Sequence, residues 1–107
     1  MDVIQVQSEE HFKQLIKSGT SIVDFTATWC GPCAGIAPYF KQLAQSNHGI
    51  KFLKVDVDEL GELSLAANVR TLPTFVVYKN GMMTNERAQV VILFFYTYFV
   101  NYFINFT

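Results

Sequence analysis

Cysteine is scarce in this sequence: Cys30 and Cys33 are the only two in 107 residues. Two cannot cross-link a small secreted scaffold, and two are too few for an all-thiolate zinc site. Histidine is also sparse. His11 and His48 alone are left to complete a metal set, one in a predicted first helix and one at the end of a second. Neither sign of charge is in excess. Eight Lys and Arg stand against nine Asp and Glu, a net charge of -1, which argues against nonspecific nucleic-acid binding and polybasic membrane anchoring. The glycines form neither a GxGxxG turn nor a Walker loop, so no nucleotide site is expected. Asp2, Glu9 and Glu10 are acidic and no apolar stretch follows Met1. That pattern predicts no signal peptide and a reducing, cytoplasmic setting, where a close cysteine pair is more often catalytic than structural.

The length suits one domain over residues 1–107, with a single modest core. Its composition is uneven. The last 20 residues hold no charged side chain, yet they hold eight of the 16 aromatics. An ordinary body therefore precedes an atypical apolar C-terminal segment.

Val3, Ile4 and Val6 predict a short strand. Ser8 predicts the cap of a helix to about Lys17, with Phe12, Leu15 and Ile16 on its apolar face. The run Ser21 to Ala27 suits a central strand. A helix is expected from near Pro32 to Ser46, kinked at Pro38, then a strand from Ile50 to Val57. Asp58 is expected to cap a third helix running to about Asn68. Phe75 to Tyr78 reads as a strand, and Lys79-Asn80-Gly81 as a hairpin turn into an antiparallel strand from Met82 to Arg87. The order β-α-β-α-β-α-β-β implies an α/β fold, a central mixed sheet flanked by helices.

The chemistry concentrates at Trp29-Cys30-Gly31-Pro32-Cys33. Two intervening residues let the thiols meet when the second lies in a first helical turn. Pro32 suits that turn because its missing N–H costs nothing there, and Gly31 is expected to let the backbone turn tightly. A helix N-terminus favours a thiolate at Cys30, the attacking species in thiol–disulfide exchange. A half metal site or an inert pair is the rival reading. Asp24 interrupts an apolar strand, where an isolated carboxylate is costly. It reads either as a buried proton acceptor behind the cysteines or as a carboxylate held by a neighbour. Pro73, just before a strand, is a candidate cis-proline that would leave the Thr71-Leu72 backbone free to bond an extended substrate. Trp29 reads as a cover over the site or as core packing.

WCGPC at 29–33, VDF at 23–25, KVDVDE at 54–59, LPTF at 72–75 and YKNG at 78–81 together resemble the thioredoxin family over about residues 3–81. The resemblance implies a thioredoxin-like fold and protein disulfide reductase activity. It casts Cys30 as nucleophile, Cys33 as resolving thiol of a redox-active pair, Asp24 as buried acid–base and Pro73 as cis-proline. Trp29, Gly31 and Pro32 complete the motif, and Thr71 and Leu72 edge the substrate groove. It implies no bound cofactor or metal, and electrons drawn from NADPH through a separate thioredoxin reductase. The substrates it implies are peroxiredoxins, methionine sulfoxide reductases and ribonucleotide reductase.

Two departures stand out: Ala34 where the family often has Lys or Arg, and a divergent segment from residue 82 to 107. For that segment three readings stay open: an altered last exon or reading frame, a divergent packed helix, or contact with a membrane or a second copy. The rival function is a non-catalytic binding module, or a partly defective variant with an altered C-terminus. An oxidant or isomerase is disfavoured by Gly31-Pro32 and by the acidic N-terminus.

Overall fold

The computed structural model describes residues 2–89. Eight elements follow the expected order: β1 (Ile4–Gln5), α1 (Glu9–Ile16), β2 (Thr20–Thr26), α2 (Gly31–Ser46), β3 (Ile50–Asp56), α3 (Gly61–Ala66), β4 (Thr74–Lys79) and β5 (Met82–Gln89). They build a mixed sheet in the order β1-β3-β2-β4-β5. β1 and β2 run parallel to β3, while β4 is antiparallel to both β2 and β5.

Period-two alternation in the central strands decides which side chains meet which helix. Ile22, Phe52, Phe75 and Val77 pack on α2 through Ile36, Phe40 and Leu43. The Phe40 ring lies 5.3 Å from Phe52 and 5.5 Å from Phe75, centroid to centroid. Val23, Phe25, Leu53, Val55 and Val76 point the other way, onto Phe12 and Ile16 of α1 and the partly buried Leu63 of α3. Both faces of the sheet are covered, which is why β2 and β4 carry apolar side chains toward both sides, Asp24 excepted. Helix α2 continues through Pro38 as one element.

Polar contacts fix both ends of α1 and the hairpin turn. Ser8 Oγ caps α1 by accepting from His11 N. Lys51 Nζ donates to the carbonyls of Leu15 and Ser18 at 2.6 and 2.7 Å, satisfying groups that the end of α1 leaves open. Asn80 and Gly81 have φ of 50° and 87°, the two-residue turn that an Asn-Gly pair supplies. Gly81 N donates to Ile16 O, and Asn80 Oδ1 accepts from Gly19 N. The hairpin is thus pinned to α1 as well as to its own strands.

Two expectations need correction. Asp58 does not cap α3. The helix starts later, with Leu60 at its N-cap position and no side-chain cap, because Asp58 is engaged elsewhere, as described below. β5 is also longer than expected and pairs with β4 from Lys79↔Met82 to Thr74↔Gln89, with an irregularity between Val76 and Tyr78. Among the described residues, 82–89 therefore form the last strand of the sheet, next to β4. The three readings of the segment beyond concern residues outside those described.

Candidate active site

Cys30 and Cys33 form a disulfide with their Cα atoms 5.3 Å apart. The pair sits where β2 hands over to α2. Cys30 is the N-cap of that helix, and its Sγ accepts from Cys33 N at 3.2 Å. Pro32 lies in the first turn, where no N–H is missed. That N–H and the helix dipole favour negative charge on the Cys30 sulfur when the disulfide opens.

Cys30 and Cys33 are 6% and 4% exposed, so accessibility alone does not rank them. Their surroundings do. Cys30 borders a groove of about 450 Å³ walled by Trp29, Pro32, Val57, Val69 and Leu72, with Arg70 the charged residue on its lining. Cys33 is absent from that lining. It opens instead, together with Cys30, on a smaller cavity of about 260 Å³ beside Lys54 and Asp56.

Trp29 is 70% exposed, so it is no part of the core. Its Nε1 donates to Asp58 Oδ2 at 2.8 Å, and Asp58 N in turn donates to Asp56 Oδ1. This engagement is what removes Asp58 from the cap of α3. Gly31 lines the groove, and a β-carbon there would meet nothing within 4 Å. Its φ is not in the positive region, so the turn itself does not demand glycine. A side chain there would project into open space.

The Leu72–Pro73 bond is cis. Pro73 is buried, and Leu72 turns toward the groove. The Thr71 carbonyl is partnered within the chain, accepting from Thr74 Oγ1 at 2.6 Å, and Thr71 does not line the groove.

Asp24 lies in β2, 1% exposed, on the face that carries α2, and its Oδ1 has no hydrogen-bond partner. Burial pushes its carboxyl up to about 7, and Lys54, its register neighbour on β3, pulls the other way. At neutral pH this group both gains and loses a proton readily. No salt bridge to Lys54 forms to hold it ionised; the ion pair found among the described residues is Lys41 with Asp2.

Sequence reasoning missed Asp58, Lys54 and Arg70. Asp58 is 29 residues from its indole partner, a contact no local pattern announces. Lys54 was within reach, since aligning the two apolar runs of β2 and β3 sets it opposite Asp24. His11 Nδ1 accepts from Gln7 N, and His48 Nε2 bonds to Gln45 O. Among the described residues no group of three or more His, Cys, Asp or Glu is placed to hold a metal ion.

A disulfide closed across two residues at a helix N-terminus, bordering an open groove, defines a thiol–disulfide oxidoreductase. The sequence model of the thioredoxin family matches residues 2–95, well past the hairpin. The chain is 41% identical over 86 residues to "Thioredoxin Asp f 28" of Aspergillus fumigatus, covering 80% of each protein. It is 44% identical to Thioredoxin-1 of Schizosaccharomyces pombe, over 78% of this chain and 82% of that one. The solved thioredoxin of Plasmodium falciparum superposes with a TM-score of 0.76 at 40% identity, over 79% of this chain and 83% of that one. The chain belongs to the thioredoxin family, and its chemistry is protein disulfide reduction through the Cys30–Cys33 pair.

Proposed function

We propose that this chain is a general disulfide reductase in which each site residue has a distinct role. The Cys30 thiolate attacks one sulfur of a protein disulfide. A Cys30–substrate disulfide forms, and the other substrate sulfur leaves as a thiolate that takes up a proton. Cys33 then loses its proton and attacks Cys30 Sγ. The Cys30–Cys33 disulfide closes, the second substrate thiolate departs, and two electrons have passed to the substrate. The observation that carries this assignment is the placement of Cys30 Sγ at the N-cap of α2, on the groove and under the Cys33 N–H.

Asp24 is the proton acceptor for Cys33. Its burial and a carboxyl near neutrality support that role, and a relay through water is part of this reading. Trp29, Pro32 and Leu72 wall the groove where the substrate chain lies, Gly31 adds no side chain to it, and the cis bond before Pro73 sets the course of the chain at Leu72. The oxidised pair is returned to the dithiol by a separate thioredoxin reductase that draws on NADPH. The electrons pass on to peroxiredoxins, methionine sulfoxide reductases and ribonucleotide reductase. Family membership supports those partners; a cytoplasmic place of work and a single domain over 1–107 are part of the same proposal. The binding-module alternative needs no redox pair, and the intact pair speaks against it.

Brief iodoacetamide treatment of the reduced chain at neutral pH tests the roles of the sulfurs. Peptide mass mapping is expected to find the first adduct on Cys30, with Cys33 trailing by about tenfold or more, as thiolate-controlled reactivity implies. First labelling at Cys33 would reverse the assignment.

A further inference from the structure

Away from the disulfide, β5 carries an arrangement that the exchange chemistry leaves unused. Tyr78 and Met83 are register partners across β4 and β5, and Val76 partners Arg87. Directly opposed residues project to one face of a sheet, so Tyr78, Met83 and Arg87 share the face that carries α1 and α3. Arg87 spans this face. Its Nη1 donates to the carbonyl of Ala67 at 2.8 Å, and its Nη2 lies 3.6 Å from Met83 Sδ, an N–H donor on a thioether. Met83 is 45% exposed, so solvent reaches it while one guanidinium N–H is directed at its sulfur. Its neighbour Met82 is 72% exposed, and among the described residues no side chain donates to its sulfur. The two methionines form an internal comparison: adjacent, both open, and only one held.

A thioether sulfur has two lone pairs, and oxidation at one or the other gives opposite configurations at sulfur. A free, rotating methionine offers both equally. A donor fixed on one lone pair makes the two sides of the sulfur unequal. We propose that Met83 is an oxidation site for hydroperoxides and that Arg87 makes it stereoselective by holding the thioether in one orientation. In the step, Sδ attacks the terminal peroxide oxygen, the S–O bond forms as the O–O bond breaks, and the remaining oxygen leaves with a proton as water or an alcohol. Sulfur loses two electrons and the peroxide gains them. The guanidinium that fixes the Met83 sulfur also holds Ala67 O, the carbonyl just before the 68–72 segment leading to the groove. The modification therefore lies one side chain from the substrate-binding edge.

Hydrogen peroxide treatment of the full chain in its disulfide form tests this, with the cysteines already closed. Peptides holding Met82 and Met83 are mapped, and the two sulfoxide diastereomers are distinguished with the two stereospecific methionine sulfoxide reductases. At Met83 one diastereomer is expected to exceed the other by roughly threefold, the bias that a weak hydrogen bond to sulfur supports. Met82 is expected near equality. In concentrated urea the Met83 ratio should fall to that of Met82, and Arg87→Gln should do the same in the folded chain. An even mixture at Met83 in the native protein would overturn the proposal, as would a bias that survives Arg87→Gln or urea. If the Arg87 variant does not fold, the native and urea samples of the unaltered chain still decide the matter.

Discussion

Asp24→Asn is expected to raise the unfolding free energy at pH 8 by about 2 kcal/mol, while leaving it nearly unchanged at pH 5. The sign follows from the direction of the shift. Burial raises the folded carboxyl to about 7 from an ordinary 3.8. Between these values the folded protein holds a proton that the unfolded chain has released, so stability falls as pH rises. The contribution is complete below the unfolded value and lost once pH passes the folded one. At pH 5 Asp24 is neutral when folded, and the roughly 1.5 kcal/mol already lost to ionisation of the unfolded carboxyl is offset by the cost of burying the amide. At pH 8 it is an ionised group in the sheet whose buried Oδ1 has no hydrogen-bond partner. A buried amide with unmet hydrogen bonds has its own cost, which is why the expected gain is below the full ionisation penalty. Paired urea titrations of both proteins across pH 5 to 8 check this. A variant less stable than the parent at pH 8 would mean that Asp24 is held ionised by a partner. The same variant should release product more slowly, with the deficit smallest at pH 5, where the parent carboxyl is already protonated and cannot accept a proton, and growing as pH rises toward the folded value of about 7.

Cys33→Ser is expected to halt exchange midway and accumulate the Cys30–substrate disulfide. The serine hydroxyl is far too weak a nucleophile at neutral pH to open that bond, so release should slow by orders of magnitude, about 10³-fold or more. Non-reducing gels after incubation with a disulfide-bonded protein should show a species that collapses on adding dithiothreitol. Its mass should fit one bond through Cys30. If no such species forms, Cys33 is not the resolving thiol.

What was legible in the sequence is what local chemistry decides. The Asn-Gly turn, the Ser8 cap and the proline in the first turn of α2 each follow from a backbone requirement met by one or two neighbouring residues. The burial of Asp24 was also readable, because strand alternation sets it on the α2 side with Ile22. The errors arose where a distant group intervened. Asp58 has the right residue type and position for a helix cap, and sequence alone does not show that Trp29 takes its carboxylate. Glycine at position 31 invites a turn argument, yet the backbone there is ordinary and a side chain would project into open space. Met83 and Arg87 are four apart on a strand, a spacing that suggests no contact until the length of both side chains and the irregular pairing at Val76/Tyr78 are seen.

Insulin reduction is the most direct measurement of the central claim, that the Cys30–Cys33 pair of this chain reduces protein disulfides. The full chain at catalytic concentration, with dithiothreitol as the electron source, should precipitate the insulin B chain well ahead of dithiothreitol alone. Cys30→Ser should fall to the dithiothreitol background. Turnover by the full chain no faster than that of Cys30→Ser would contradict the account.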